Sequence, residues 1–216
     1  WQNKYRKEFT QIGQFIRTHN MRVSMHPDQF VILNSLRKEV FKNSLSELNY
    51  HADVLDLLEV DSSHKIQIHL GGVYGDKPQA VQRFIDNYTT LPEKVKKRLV
   101  VENDERLYGI EDCLDLSRQI GVPVVLDVFH YRVMGKRMSL RQVMREVALT
   151  WGKEDGVPII DYSNQAKGKR IGSHSQTIDL ADFSHTLEKL EGFEFDVMFE
   201  VKDKEKSVLK ALKQLF

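Results

Sequence analysis

Short apolar runs alternate with longer amphipathic segments along this 216-residue chain, and that alternation restricts it to α/β architectures. The apolar runs are residues 22–25, 65–70, 98–102, 123–128, 157–162 and 194–200, rich in Val, Ile, Leu or Phe. They scarcely alternate, as expected of parallel strands covered on both faces. Between them, Val40, Leu45, Leu48, Ala52, Leu55 and Leu58 recur at helical spacing over residues 36–59. Ala80, Val81, Phe84, Ile85 and Tyr88 do the same from Lys77 onward, with Pro78 in a first turn. Further helices are expected near residues 111–120, 139–151, 180–190 and 204–215. The opening segment, residues 1–18, carries Tyr5, Phe9, Ile12, Phe15 and Ile16 at the same period. With no linker rich in Pro, Gly or Ser, residues 1–216 read as one domain built from right-handed crossovers. Six strand–helix units are legible where a closed (β/α)8 barrel has eight. The chain also begins at Trp1 inside a helical pattern. The expectation is a TIM (β/α)8-type barrel whose first two strand–helix units are missing; an open six-stranded sheet fits the same pattern.

Composition narrows function by exclusion. Lys plus Arg (32) balance Asp plus Glu (31), so the broad basic footprint of a general nucleic-acid binder is absent. Positive charge for such a ligand has to be local or supplied by metal. No apolar run reaches the roughly 18 residues of a membrane helix. A single cysteine, Cys113, excludes an internal disulfide and a multi-thiolate zinc site, and it favours a reducing, intracellular compartment. Cys113 itself is expected in the core.

The residues at the strand ends carry the chemistry. Successive strands run into His26, His69, Glu102, Asp127 (with His130 three residues on), Asp161 and Glu200, at separations of 25 to 43 residues that each match one strand–helix unit. In parallel α/β folds this edge of the sheet is where active sites are built. His174, in the loop after the fifth strand, can join them. Imidazoles and carboxylates gathered without a thiolate repel one another unless cations hold them, and the set suits Zn²⁺, Mn²⁺ or Fe²⁺. So many ligands fit two or three ions with bridging carboxylates, an arrangement typical of phosphoester hydrolysis. His19, His51, His64 and His185 fall on helices or in a polar loop and are given no catalytic role. The basic cluster Lys94, Lys96, Lys97 and Arg98 is expected as solvated surface on the face opposite the rim.

The motifs Met25-His26-Pro27-Asp28-Gln29-Phe30, Ile68-His69-Leu70-Gly71-Gly72, Val101-Glu102-Asn103-Asp104, Leu126-Asp127-Val128-Phe129-His130, Ile160-Asp161-Tyr162-Ser163 and Met198-Phe199-Glu200-Val201 resemble, in order and across the chain, the UV damage endonuclease family. The resemblance implies a TIM barrel related to endonuclease IV. It implies a cluster of two or three divalent ions, Mn²⁺ foremost with Zn²⁺, Co²⁺ or Mg²⁺ as alternatives. The implied activity is incision of damaged double-stranded DNA immediately 5′ to ultraviolet photoproducts and other distorting lesions. By likeness His26, His69 and Glu102 hold one ion. Glu102 bridges to a second completed by Asp127, Asp161 and Glu200, and His130 and His174 bind a third. Glu102, His69, Asp127 and Glu200 are the implied catalytic residues. Gln29 and Phe30 match the pair the family wedges into the duplex. Arg132, Lys136 and Arg137 are candidate phosphate contacts. The chain departs from some relatives in having Asp161 for a His, Ile159 for a modified Lys and Tyr131 for a second His. A monomer acting beside chromosomal DNA in the cytoplasm is expected. Two rival readings stand: a metal-dependent sugar isomerase or epimerase of the same fold, which needs fewer ligands, and an inactive DNA-binding fragment.

Overall fold

The computed structural model describes residues 1–135 and 137–215, and the chain divides into two compact units. The first comprises Trp1–Val101, Leu116–Pro123 and Gly152–Gly156; the second comprises Glu102–Asp115, Val124–Trp151 and Val157–Phe216.

In the first unit, α1 (Gln2–Thr18) lies against α2 (Lys38–Leu57). Their approach depends on Gly13, where a Cβ would stand 1.8 Å from the Leu58 carbonyl oxygen. Ile16 is buried there, whereas Tyr5, Ile12 and Phe15 of the same periodic set are exposed. Helix α2 buries Leu48, Ala52 and Leu55, as its spacing predicts. Strand β1 (Ile66–His69) and helix α3 (Lys77–Thr89) follow. The Asp76 carboxylate accepts from the Gln79 amide at 3.0 Å to cap α3, and Pro78 occupies its first turn. A four-residue helix, α4 (Glu93–Lys96), is too short to leave a periodic signature, and β2 (Leu99–Glu102) comes next.

Two expectations fail in this unit. Residues 22–25 do not form a strand. Only Met25 bridges to Ile66, in parallel, donating to the Lys65 carbonyl and accepting from the Gln67 amide at 2.9 Å each. The neighbouring Val23 amide is taken by His64 Nδ1, and Pro27 has no amide to give, so the ladder cannot extend. Five strands, not six, occur among the described residues. Arg98 is also not solvated. It is 6% exposed, and its guanidinium donates to the Val60, Asp61 and His64 carbonyls and to the Asp56 carboxylate.

Helix α5 (Ile110–Ile120) buries Cys113 and leads to β3 (Val124–Asp127). In the second unit, α6 (Val128–Met134), α7 (Leu140–Ala148), β4 (Ile159–Tyr162), α8 (Leu180–Lys189), β5 (Asp196–Phe199) and α9 (Glu205–Leu215) complete the chain. Strand β4 pairs in parallel with β3 and β5, placing Asp127 opposite Asp161 and Asp161 opposite Met198. Every residue of β3 and β4 is buried, as two-sided cover requires. Strand β5 is only partly covered, and its Val197 and Phe199 line an apolar groove of about 510 Å³ with Phe183 and Leu212. Helix α6 is the main surprise here. Its first turn abuts β3 without a loop, because Asp127 both ends the strand and caps the helix, accepting from the His130 amide at 2.7 Å.

Candidate metal centre

The ends of the strands in the second unit bring carboxylates together. One oxygen from each of Glu102, Asp161 and Glu200 lies within 4.8 Å of the others. Glu102 and Asp161 are buried, and Glu200 is pinned beside the end of β4 by its amide, which donates to the Tyr162 carbonyl at 2.9 Å. Burial, followed by the charges of Glu102, Glu200 and Asp127, pushes the Asp161 carboxyl well above the usual range. Such a set is stable with protons or with a cation between its members, and hard oxygen donors flanked by imidazoles fit a divalent ion.

Two of the predicted histidines stand at the same place. His130 lies in α6, with Nδ1 2.9 Å from Asp127 Oδ2 and 3.2 Å from the Asn103 carbonyl. Burial works against its charged form. The Asp127 and Glu102 carboxylates and the Asn103 carbonyl outweigh that and raise its pKa to about 9. The His174 Nδ1 lies 2.7 Å from the Glu200 carbonyl, and its ring centre is 5.5 Å from that of His130. An antiparallel bridge from His174 to Gln165 holds this loop in place. When Nδ1–H donates to a fixed carbonyl, Nε2 is left as the lone pair a metal takes.

In the first unit His26 and His69 sit with ring centres 5.5 Å apart, and His26 repeats the same device, its Nδ1 2.9 Å from the Pro27 carbonyl. The turn after His69 is held by Asn34. Its amide donates to the Gly72 carbonyl at 2.8 Å, and its Oδ1 accepts from the Gly72 amide at 3.2 Å. Gly71 has φ +100°, and a Cβ there would lie 2.5 Å from Asn34 Oδ1, so only glycine fits. Gln29 and Phe30 project into solvent, Phe30 at 71% exposure.

The predicted phosphate contacts fare differently. Arg132 is committed internally: it pairs with Asp182 at 2.6 Å, donates to Thr186 and lies over the Tyr162 ring. Arg137 is exposed, and Lys136 lies outside the described residues. Of the family departures, Ile159 is buried and offers no ligand atom. The Tyr131 hydroxyl donates to the Met138 carbonyl and ties α6 to the turn that follows. Sequence reasoning gave no role to Asn103, a fully buried amide joined to Asp127 and His130. Its place directly after a strand-end ligand was the signal available.

The chain is 40% identical over 217 residues to a UV DNA damage endonuclease of Clostridium perfringens (strain 13 / Type A), a match covering 100% of the chain and 53% of that protein. It therefore spans about half the length of that relative. The crystal structure of SacUVDE superposes with a TM-score of 0.94 at 41% identity, over 100% of this chain and 72% of that one. Endonuclease IV from Thermus thermophilus matches at a TM-score of 0.62 and 16% identity, covering 96% of this chain and 78% of that one, a likeness of fold alone. The fold is thus of the expected α/β, TIM-barrel type. Residues 1–216 match the family described as UV-endonuclease UvdE, and the chain belongs to that family.

Proposed function

We propose that this chain carries the catalytic rim of a divalent-metal-dependent endonuclease. It incises duplex DNA 5′ to ultraviolet photoproducts and other distorting lesions. The observation that carries the reading is the convergence of Glu102, Asp161 and Glu200 beside Asp127, His130 and His174, in a member of the UV-endonuclease family. Glu102, Asp127, Asp161 and Glu200 serve as oxygen ligands, and His130 and His174 serve through Nε2. His26 and His69 are the further imidazoles that the family resemblance assigns to the same ions. Divalent cations bound there supply Lewis acidity and neutralise phosphate charge, with Mn²⁺ the favoured identity.

The chain's own residues supply the rest. Glu102 and Asp161, withdrawn from water, keep the ligand oxygens fixed so that little reorganisation is needed as charge develops. Asp127 and the Asn103 carbonyl hold the proton on His130 Nδ1 and so orient its ring. Phe30, exposed after His26, enters the stack at a step the lesion has already weakened, with Gln29 beside it. Arg137 is a candidate phosphate contact, as is Lys136. Arg132 reaches phosphate only by leaving Asp182. No described helix is long and apolar enough to cross a membrane, and the proposed place of action is inside the cell, as a monomer on chromosomal DNA.

The test is an incision assay with Mn²⁺ on a duplex carrying one pyrimidine dimer, run beside metal analysis. It uses this chain and a version extended to the length of its relatives. Incision 5′ to the dimer, lost in Asp161→Asn, with two to three ions per chain is the expected result. No incision by either metal-loaded version overturns the reading, and a single ion per chain favours the isomerase alternative.

A further inference from the structure

Asn103 is the residue on which the second unit's ligand geometry turns, although it offers the metal nothing itself. It follows Glu102 directly and is fully buried. Its side-chain amide pairs with the Asp127 backbone in both directions: Nδ2 donates to the Asp127 carbonyl and Oδ1 accepts from the Asp127 amide, each at 3.0 Å. Its own carbonyl lies 3.2 Å from His130 Nδ1. One residue thus ties the ends of β2 and β3 and the first turn of α6, and each of the three carries a proposed ligand.

We propose that Asn103 is a positioning residue of the metal centre. Its amide fixes the backbone that aims the Asp127 carboxylate, and its carbonyl holds His130 in the tautomer that presents Nε2. The proposal rests on the reading of Asp127 and His130 as ligands. Asparagine is required by the two-way pairing. A carboxylate accepts but cannot donate, so aspartate would set an oxygen against the Asp127 carbonyl, and a smaller side chain would lose both bonds to the Asp127 backbone.

This separates positioning from simple charge. Asn103→Asp adds a negative group beside cations, so Coulomb attraction alone predicts tighter binding of a divalent ion. Loss of positioning predicts the reverse, by about 10- to 100-fold, the usual cost of disturbing the partners of metal ligands. The experiment compares wild type, Asn103→Asp and the neutral Asn103→Ser. Mn²⁺ affinity is followed by EPR, and the visible spectrum of the Co²⁺-loaded protein reports ligand geometry; thermal melting identifies variants that fold. Weakening of at least ten-fold with an altered Co²⁺ spectrum in a folded variant supports the proposal, and Asn103→Ser serves if Asn103→Asp does not fold. Affinity within two-fold of wild type, tighter binding by Asn103→Asp, or a lowered melting temperature with an unchanged spectrum overturns it. Asp127→Asn and His130→Gln run alongside. If neither changes metal binding, the ligand reading fails; if both do and the Asn103 variants do not, only the positioning role fails.

Discussion

Metal-free protein should lose stability between neutral and alkaline pH because of one imidazole, His130. In the folded chain its pKa is raised from 6.5 to about 9, and its side chain is only 7% exposed, so solvent screens the pairing with Asp127 little. A pKa raised by folding means that the native state holds the proton more tightly than the unfolded chain does. The stabilisation is therefore fully present below pH 6.5 and is lost as the pH rises through 9. The shift corresponds to about 3 kcal/mol, at about 1.4 kcal/mol per pH unit. The perturbation is His130→Gln, which cannot titrate. Urea unfolding in EDTA at pH 6, 7.5 and 9.5 should show wild type losing about 3 kcal/mol more than the variant across that range. A wild-type-minus-variant difference that is the same at pH 6 and pH 9.5 refutes the reasoning. If His130 is a ligand as proposed, bound metal would invert the dependence, because a ligand imidazole must shed its proton. Mn²⁺ affinity should accordingly climb toward pH 9 in wild type, and the climb should flatten in His130→Gln.

Asp161→Asn should raise the melting temperature of the metal-free protein above about pH 4 while greatly weakening Mn²⁺ binding. The native state holds the Asp161 proton more tightly, so stability falls as the pH rises past 3.8, and a neutral amide removes that loss. An unchanged or lower melting temperature in EDTA would contradict the burial and repulsion invoked for this carboxyl. Phe30→Ala, at a site 71% exposed, should change stability by no more than about 0.5 kcal/mol yet weaken binding to a dimer-containing duplex more than to an undamaged one. Fluorescence anisotropy with both duplexes decides this, and equal losses on the two would remove the wedge role. Gly13→Ala should cost about 1–3 kcal/mol or more and expose α1 to protease, since the new methyl meets the Leu58 carbonyl. Wild-type resistance to limited proteolysis would count against that contact.

The carboxylates of the candidate site were legible in the sequence because each ends an apolar run, and runs of that kind announce themselves locally. Glu102, Asp127, Asp161 and Glu200 needed only the position of the nearest strand to be placed on a common edge. Residues 22–25 were misread for a related reason. Their composition suits a strand, but strand pairing depends on where the Val23 amide goes, and His64, far along the chain, takes it. Arg98 looked like part of a surface run because charge is read locally, whereas its burial follows from three carbonyls in the segment 60–64. Helix α6 was missed because Asp127 acts as strand end and helix cap at once, a dual role with no periodic signature.

The sequence by itself determined the fold class, the places of five strands along the chain and the residue types at their ends, since periodicity and residue type are written along the chain. The tertiary structure alone decided the state of those donors. It set the Asp127 and Asn103 contacts that raise the pKa of His130, the burial and crowding that push the Asp161 carboxyl above its usual range, the Asp182 pairing that occupies Arg132, and the buried amide of Asn103. Protonation and orientation depend on which groups lie a few ångströms away and how little water separates them. Those neighbours come from segments tens of residues apart, which only folding brings together.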